Sequence, residues 1–194
     1  MDNKVKFSEL KTINDYPADE VISALQKEIR RCNFEDACFW GLELLESGDT
    51  FVKKFWERIL VISVEDVSEH IAVSIVTDLK NNYFELKEAK QVDKVINGIK
   101  AIKVLCDAKK DRIVNEIYDY LRFKRKDGLR KEIPDYAIDK HTKKGKAQNL
   151  GYEHFLNVAG KINNIVENKD DKYLIELLKY AKLGVSPSTY KKEY

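Results

Sequence analysis

The residues best suited to chemistry lie in one segment of the chain, IPDYAIDKHTKKGKAQNLGYEHF, which spans residues 133–155. This segment contains two imidazoles and three carboxylates, on His141, His154, Asp135, Asp139 and Glu153. Imidazoles and carboxylates bind divalent metals and act as general acids and bases. One interpretation is therefore a small metal-dependent hydrolase or nuclease, with Asp139, His141 and His154 as its candidate catalytic residues.

The spacing of the two histidines favours a structural role instead. His141 and His154 are 13 residues apart, which matches no metal-binding motif, and neither belongs to a helical i, i+4 pair. A histidine outside such a motif is more often a hydrogen-bonded structural residue. In this alternative Asp139 and His141 hold the loop in place, with Tyr152 and Phe155 packed beneath them. We expect no metal and no cofactor.

The same region is strongly basic. Residues 122–146 carry ten basic and four acidic side chains, a net charge of +6, whereas residues 1–121 have a net charge of −5. Clustered Lys and Arg side chains bind nucleic acid by releasing counterions from its phosphates. The candidate nucleic-acid contacts are Arg125, Lys126, Arg130, Lys143 and Lys144. The alternative is a solvated helix end and loop without a ligand.

Amphipathic helices must position this region. Ile22, Leu25, Ile29 and Cys32 recur every three or four residues, which predicts one buried stripe on a helix over 18–32. Further helices are predicted over 34–47, with Asn33 as its side-chain cap, and over 51–65, with Asp49 or Thr50 as its cap. Gly48 is expected to end the second helix with a positive φ. The β-branched run at 59–64 is assigned to the third helix because no partner strand is evident.

Beyond residue 66 the periodicity predicts more helices and then a change of character. Ser68 is expected to cap a helix that turns Ile71, Ile75 and Leu79 inward. Long helices follow over 86–107 and over 111–126, the latter burying Ile113, Ile117 and Tyr120. After Gly128 the pattern becomes looped, with short helices, until a final helix over 172–183. We therefore predict an all-α fold with a compact multi-helix domain over 1–126 and a basic, looped region over 127–194 packed on it.

The order of residues in the first three helices resembles one known family. The matching positions are Asp19, Ile22, Ser23, Ala24, Leu25, Lys27, Ile29, Arg30, Asp36, Ala37, Leu45, Glu46, Gly48, Arg58, Leu60, Glu65 and Asp66. They resemble the C-terminal region of the MgsA/RarA family of clamp-loader-like AAA+ ATPases, which maintain replication forks. The resemblance covers about a third of the chain. The 133–155 segment in turn resembles segments of bacterial and archaeal proteins of unassigned function related to this region.

The resemblance implies a collar-like helical domain through which subunits form a tetramer, with DNA or an AAA+ ATPase as possible partners. It also implies that Glu65 and Asp66 are an acidic pair before a helix start, where capping accounts for them. The sequence departs from the family in two ways. It lacks the GxxxxGK[ST] loop with which such ATPases hold nucleotide phosphates. It also reads Arg-Cys-Asn-Phe at 31–34, where the family tends to have Arg-Gly-Ser-Asp.

Two adjacent aromatic residues are the candidate oligomer interface. Phe39 and Trp40 point about 100° apart on one helix and cannot both face the same core. Cys32, Cys38 and Cys106 lack CxxC spacing and are expected to be buried free thiols in a reducing cytoplasm. No apolar run approaches 20 residues and no signal peptide is evident, so we expect a cytoplasmic protein without a membrane span. The Met-Asp-Asn-Lys start favours a stand-alone relative of the collar over a fragment.

Overall fold

The computed structural model describes residues 6–189, so the first four residues, on which the stand-alone expectation depends, lie outside the described part. Regular structure in the described residues is helical. Strand-like pairing there is limited to two isolated bridges, between Lys11 and Pro17 and between Val67 and Lys110. The prediction of an all-α fold is confirmed, and the run at 59–64 is helical.

The chain forms two compact units, divided between Gly128 and Leu129. The helices of the first unit are α1 (Ala18–Arg30), α2 (Phe34–Glu46), α3 (Asp49–Glu65), α4 (Ile71–Glu88), α5 (Lys94–Asp107) and α6 (Ile113–Lys126). The sequence-based boundary at Lys126 lies two residues before this division. The packing of the second region on the first stays a prediction.

Helix α1 buries the stripe that its spacing predicts, but it ends before Cys32. The amide of Asn33 donates to the carbonyl of Glu28 at 3.0 Å, and the amide of Cys32 donates to that of Ile29 at 3.1 Å. This pattern is a Schellman motif, and it places Cys32 at φ +61°. Cys32 is therefore exposed, Cys38 is half-buried and Cys106 is buried. The expectation that all three thiols are buried is wrong for Cys32.

Helix caps differ from the predicted ones. Asn33 is the N-cap residue of α2, but its side-chain amide donates to Oε2 of Glu28 at 2.6 Å and accepts nothing from α2. Helix α3 already begins at Asp49, so neither Asp49 nor Thr50 caps it. The N-cap position belongs to Gly48, whose φ of +100° supplies the predicted positive angle.

Two glycines let α2 and α5 approach closely. A Cβ added at Gly41 would lie 2.4 Å from Cδ1 of Ile102, and one added at Gly98 would lie 2.6 Å from Cδ1 of Leu45. Both distances are far below van der Waals contact. The absence of side chains at these two positions therefore sets the separation of the helices.

Aromatic side chains fill the centre of the first unit. The ring of Trp56 meets Phe55 edge-on at 5.1 Å and Tyr83 at 5.5 Å, and all three side chains are buried. Burial of this much aromatic surface contributes strongly to folding. Leu60, on the same helix as Trp56, is only partly buried at the edge of the core.

The second half of the first unit departs further from the prediction. Helix α4 starts at Ile71, and its buried face carries Ala72, Val76 and Tyr83. Ile71 and Ile75, predicted to turn inward, are 64% and 37% exposed. Ser68 caps no helix, because its amide and hydroxyl both donate to the carbonyl of Lys109.

The single helix predicted over 86–107 is in fact two helices. Helix α4 ends at Glu88 and α5 begins at Lys94. Lys90 lies between them at φ +56°, which reverses the chain so that α4 and α5 pack side by side. Lysine carries no turn signal of its own, so the apolar periodicity hid this break.

Helix α6 has an exposed apolar face. It packs on α3 and has no buried residue. Ile113, Ile117 and Tyr120, predicted to face inward, are 57%, 46% and 53% exposed. Apolar periodicity shows that a helix has an apolar side, but it does not show what covers that side.

The second unit is built from short elements, as predicted. It contains α7 (Lys143–Ala147), α8 (Tyr152–His154), which continues as a π-helical turn over Phe155–Ala159, and α9 (Lys172–Lys182). Helix α8 packs against α9. The final helix ends one residue before the predicted position. None of the helices within residues 6–189 has the length and apolar character needed to cross a bilayer.

Candidate functional site

The loop that carries His141 is tightly hydrogen-bonded. The Asp139 carboxylate accepts the backbone amide of His141 at 2.9 Å, and the Asp139 carbonyl accepts the Thr142 hydroxyl at 3.0 Å. The Thr142 hydroxyl oxygen in turn accepts the amide of Gly145 at 2.9 Å and caps α7. A Cβ at Gly145 would lie 1.8 Å from the Asp139 carbonyl oxygen, so the turn requires glycine at this position.

Aromatic rings pack beside this loop. The ring of His141 meets Phe155 edge-on at 5.6 Å, and Phe155 stacks on Tyr152 with a centroid distance of 6.2 Å. The Lys140 ammonium lies 4.8 Å from the Tyr152 centroid and 5.7 Å from that of Phe155. These contacts are cation–π interactions. The arrangement matches the structural alternative proposed for Asp139 and His141.

The two histidines nevertheless border one cavity in the second unit. Its volume is about 890 Å³, and His141, Glu153 and His154 line it, whereas Asp139 does not. Within residues 6–189, no group of three or more His, Cys, Asp or Glu side chains is placed to hold a metal ion. The Nδ1 atom of His154 is buried and has no hydrogen-bond partner within the same residues.

The candidate nucleic-acid contacts belong to both units. Arg125 and Lys126 lie in the last turn of α6, where the negative end of the helix dipole stabilises positive charges. Arg130 lies in the loop that opens the second unit, where one of its guanidinium nitrogens donates to the carbonyl of Leu129 at 2.9 Å. Lys143 and Lys144 are exposed on α7. Arg125 and Lys126 therefore belong to the first unit, and Arg130, Lys143 and Lys144 belong to the second.

The candidate interface residues form a cluster with a third aromatic residue. Phe39 and Trp40 meet edge-on at 4.9 Å, and Tyr16 meets Trp40 at 5.3 Å and Phe39 at 6.5 Å. Phe39 is 50% exposed and Tyr16 is 38% exposed. We call Tyr16, Phe39 and Trp40 the aromatic cluster. The sequence indicated Phe39 and Trp40 but not Tyr16, which lies 23 residues before Phe39.

A buried carboxylate holds the loop that carries Tyr16. Glu43 of α2 is buried, and its two oxygens accept the backbone amide of Asn14 at 3.1 Å and the side-chain amide of Asn14 at 2.7 Å. Burial raises the pKa of the Glu43 carboxyl, but hydrogen bonds from Thr12 and Asn14 outweigh it, so this pKa lies below its ordinary value. Glu43 therefore stays ionised and fixes the loop against α2.

Asp66 has a role that sequence reasoning missed. It is fully buried, and its Oδ2 accepts Nε of Arg30 at 2.8 Å and Nε2 of Gln26 at 2.9 Å. Nε of Arg112 lies 3.4 Å from Oδ1. Asp66 therefore joins α1, the end of α3 and the approach to α6, and the prediction that it caps a helix is wrong. No local sequence signal marks this contact, since Arg30 and Asp66 are 36 positions apart.

The chain matches no protein-family model and no curated protein.

Proposed function

We propose that this chain is a non-catalytic, self-associating scaffold that resembles the collar of clamp-loader-like ATPases. The aromatic cluster carries this proposal, because Tyr16 and Phe39 are exposed while Trp40 packs partly buried against the core. Aromatic residues dominate the binding energy of protein interfaces, and a contiguous exposed group of them is uncommon on a monomer. The resemblance favours a second copy of the chain as the occupant, and a tetramer as the assembly.

The rigidity of the cluster supports the same role. Trp40 contacts both Tyr16 and Phe39, and the Asn14–Glu43 hydrogen bonds fix the loop that carries Tyr16. Side chains that are already ordered lose little entropy when a partner binds. The cluster therefore has the preorganised character expected of an interface anchor.

Substitution of Phe39 tests the location of the interface. Phe39→Ala should weaken self-association at least tenfold, because an exposed aromatic anchor is lost while the core of α2 is untouched. Phe123→Ala is the matched control, since Phe123 is 65% exposed on the apolar face of α6. If Phe123→Ala dissociates the assembly and Phe39→Ala has no effect, the interface lies on α6. That result would contradict the proposed site.

Weak nucleic-acid binding is the second part of the proposal, in keeping with a partner role for DNA. Lys143 and Lys144 are exposed neighbours on α7, and neither forms an ion pair within residues 6–189. Exposed cations without carboxylate partners contact phosphates without reading base sequence. Such binding would be tolerant of sequence and steeply dependent on salt.

A further inference from the structure

The second unit contains two adjoining cavities of different character. The larger, of about 890 Å³, is bordered by charged, amide and hydroxyl side chains. The smaller, of about 260 Å³, is lined mainly by apolar and aromatic side chains, which are Tyr152, Leu177, Tyr180, Val185 and Pro187. Tyr152 and Ser186 line both cavities, so the two cavities share a wall. The larger volume is that of an ordinary small-molecule site.

The larger cavity is electropositive. Lys140 and Lys182 line it, and Glu153 is the one acidic residue among its described lining residues. Neither lysine forms an ion pair within the described residues. The Lys140 ammonium is held over the rings of Tyr152 and Phe155, which positions the charge without neutralising it. Two ammonium groups against one carboxylate in the described lining favour an anionic ligand.

Neutral donors surround the two charges. The amides of Asn149 and Asn157 line the cavity, and so do the hydroxyls of a turn at 186–189. In this turn the Ser186 hydroxyl lies 2.9 Å from that of Ser188 and 3.0 Å from that of Thr189. Ammonium, amide and hydroxyl donors together suit the several acceptor oxygens of a phosphate group.

We infer that the second unit binds a nucleotide, either free or as one residue of a single strand. Lys140 and Lys182 hold the phosphate, and the base lies in the smaller cavity against Tyr152 and Tyr180. Stacking on aromatic rings binds bases without selecting their sequence. The inference goes beyond the scaffold role, which needs no ligand. If the ligand is one residue of a single strand, the inference rests on the nucleic-acid binding in the proposed function.

The test is an NMR titration of the full chain with three probes: thymidine 5′-monophosphate, an oligodeoxythymidylate of about eight nucleotides, and inorganic phosphate. The monophosphate or the oligomer should saturably shift the amide signals of the residues that line the two cavities. Binding of the oligomer at least tenfold tighter than the monophosphate assigns the site to a strand. Equal or weaker binding of the oligomer assigns it to a free nucleotide.

Matched variants distinguish nucleotide binding at this site from self-association. Lys140→Met combined with Lys182→Met should weaken nucleotide binding at least tenfold. Lys179→Met should leave it unchanged, because Lys179 is on α9 but pairs with Glu176 outside the cavity. Tyr180→Ala should weaken nucleotide binding but not phosphate binding. Self-association, measured by sedimentation, should be unaffected by all of these substitutions.

Three results would overturn the inference. The first is that neither the monophosphate nor the oligomer gives saturable shifts at about 10 mM nucleotide. A dissociation constant above that concentration would be too weak for a specific site. The second is unchanged affinity in the double lysine variant. The third is inorganic phosphate binding as tightly as the nucleotide, which would leave the smaller cavity without a role.

Discussion

Asn14 donates twice to the carboxylate of Glu43, from its backbone amide to Oε1 at 3.1 Å and from its side chain to Oε2 at 2.7 Å. The two residues are 29 positions apart, so this contact pins the loop before α1 onto α2. The same loop carries Tyr16, whose ring completes the aromatic cluster. A partly buried polar contact thus holds the loop that shapes the surface to which we assign self-association.

Replacing Glu43 should give a pH-dependent loss of stability. The folded-state pKa of Glu43 is lowered from the ordinary value of 4.5, so its ionised form contributes stability that is fully present above about pH 4.5. That contribution disappears as the pH falls through the lower, folded-state value. Glu43→Gln should therefore cost about 1–3 kcal/mol at pH 7, and much less near pH 3.

Urea unfolding followed by circular dichroism at about pH 7 and pH 3 measures this difference. Glu46→Gln is the control, since Glu46 lies on the exposed side of the same helix. An equal loss for Glu43→Gln at both pH values would mean that the charge of Glu43 has no part in holding the loop.

Gly41→Ala should destabilise the first unit by overpacking. The new methyl group would lie 2.4 Å from Cδ1 of Ile102, so α2 and α5 must separate or Ile102 must leave its rotamer. Such changes cost about 1–3 kcal/mol. Gly151→Ala is the control, because a Cβ there meets nothing within 4 Å. A Gly41→Ala protein as stable as the parent by thermal unfolding would show that the α2–α5 contact is loose.

The three thiols should react at very different rates. Burial raises the pKa of the Cys106 thiol to about 11, so only about one molecule in a thousand carries the reactive thiolate at pH 8. Burial also raises the pKa of Cys38, whereas Cys32 is exposed. With Ellman's reagent, Cys32 should react first and Cys106 only on unfolding. A fast native phase that persists in Cys32→Ser would contradict this order.

Lys143 and Lys144 should be needed for retention of DNA at low salt. Reversal of both residues to Glu should abolish the gel shift of a duplex at about 50 mM salt, since phosphate contacts supply the binding. Both side chains are exposed, so the helical content should not change. Lys53→Glu is an exposed control on α3. If the parent protein shows no shift at that salt concentration, the basic segment is only a solvated surface.

The elements that sequence predicted well are those whose apolar stripe meets the core directly. Ile22, Leu25 and Ile29 of the predicted stripe are buried, and α1, α2 and α3 lie close to their predicted bounds. The prediction of helix ends failed where a residue type that carries no turn signal adopts a positive φ. Cys32 and Lys90 each do so, and each marks a helix end that hydrophobic periodicity cannot reveal.

The candidate sites show a similar limit. Phe39 and Trp40 could be singled out because neighbouring aromatic residues on a helix cannot share one core. Tyr16 and the Asn14–Glu43 contact could not be predicted from the sequence, because they depend on how the loop before α1 packs against α2. Asp66 was assigned to capping for the same reason, as its partners Arg30 and Arg112 lie 36 positions before it and 46 positions after it.

Sedimentation equilibrium at tens of micromolar protein tests the central claim most directly. We expect the 22.6 kDa chain to associate, with a limiting mass about four times that value, and Phe39→Ala to shift the equilibrium toward monomer. A parent protein that remains monomeric throughout this concentration range would contradict the scaffold function, although not the fold.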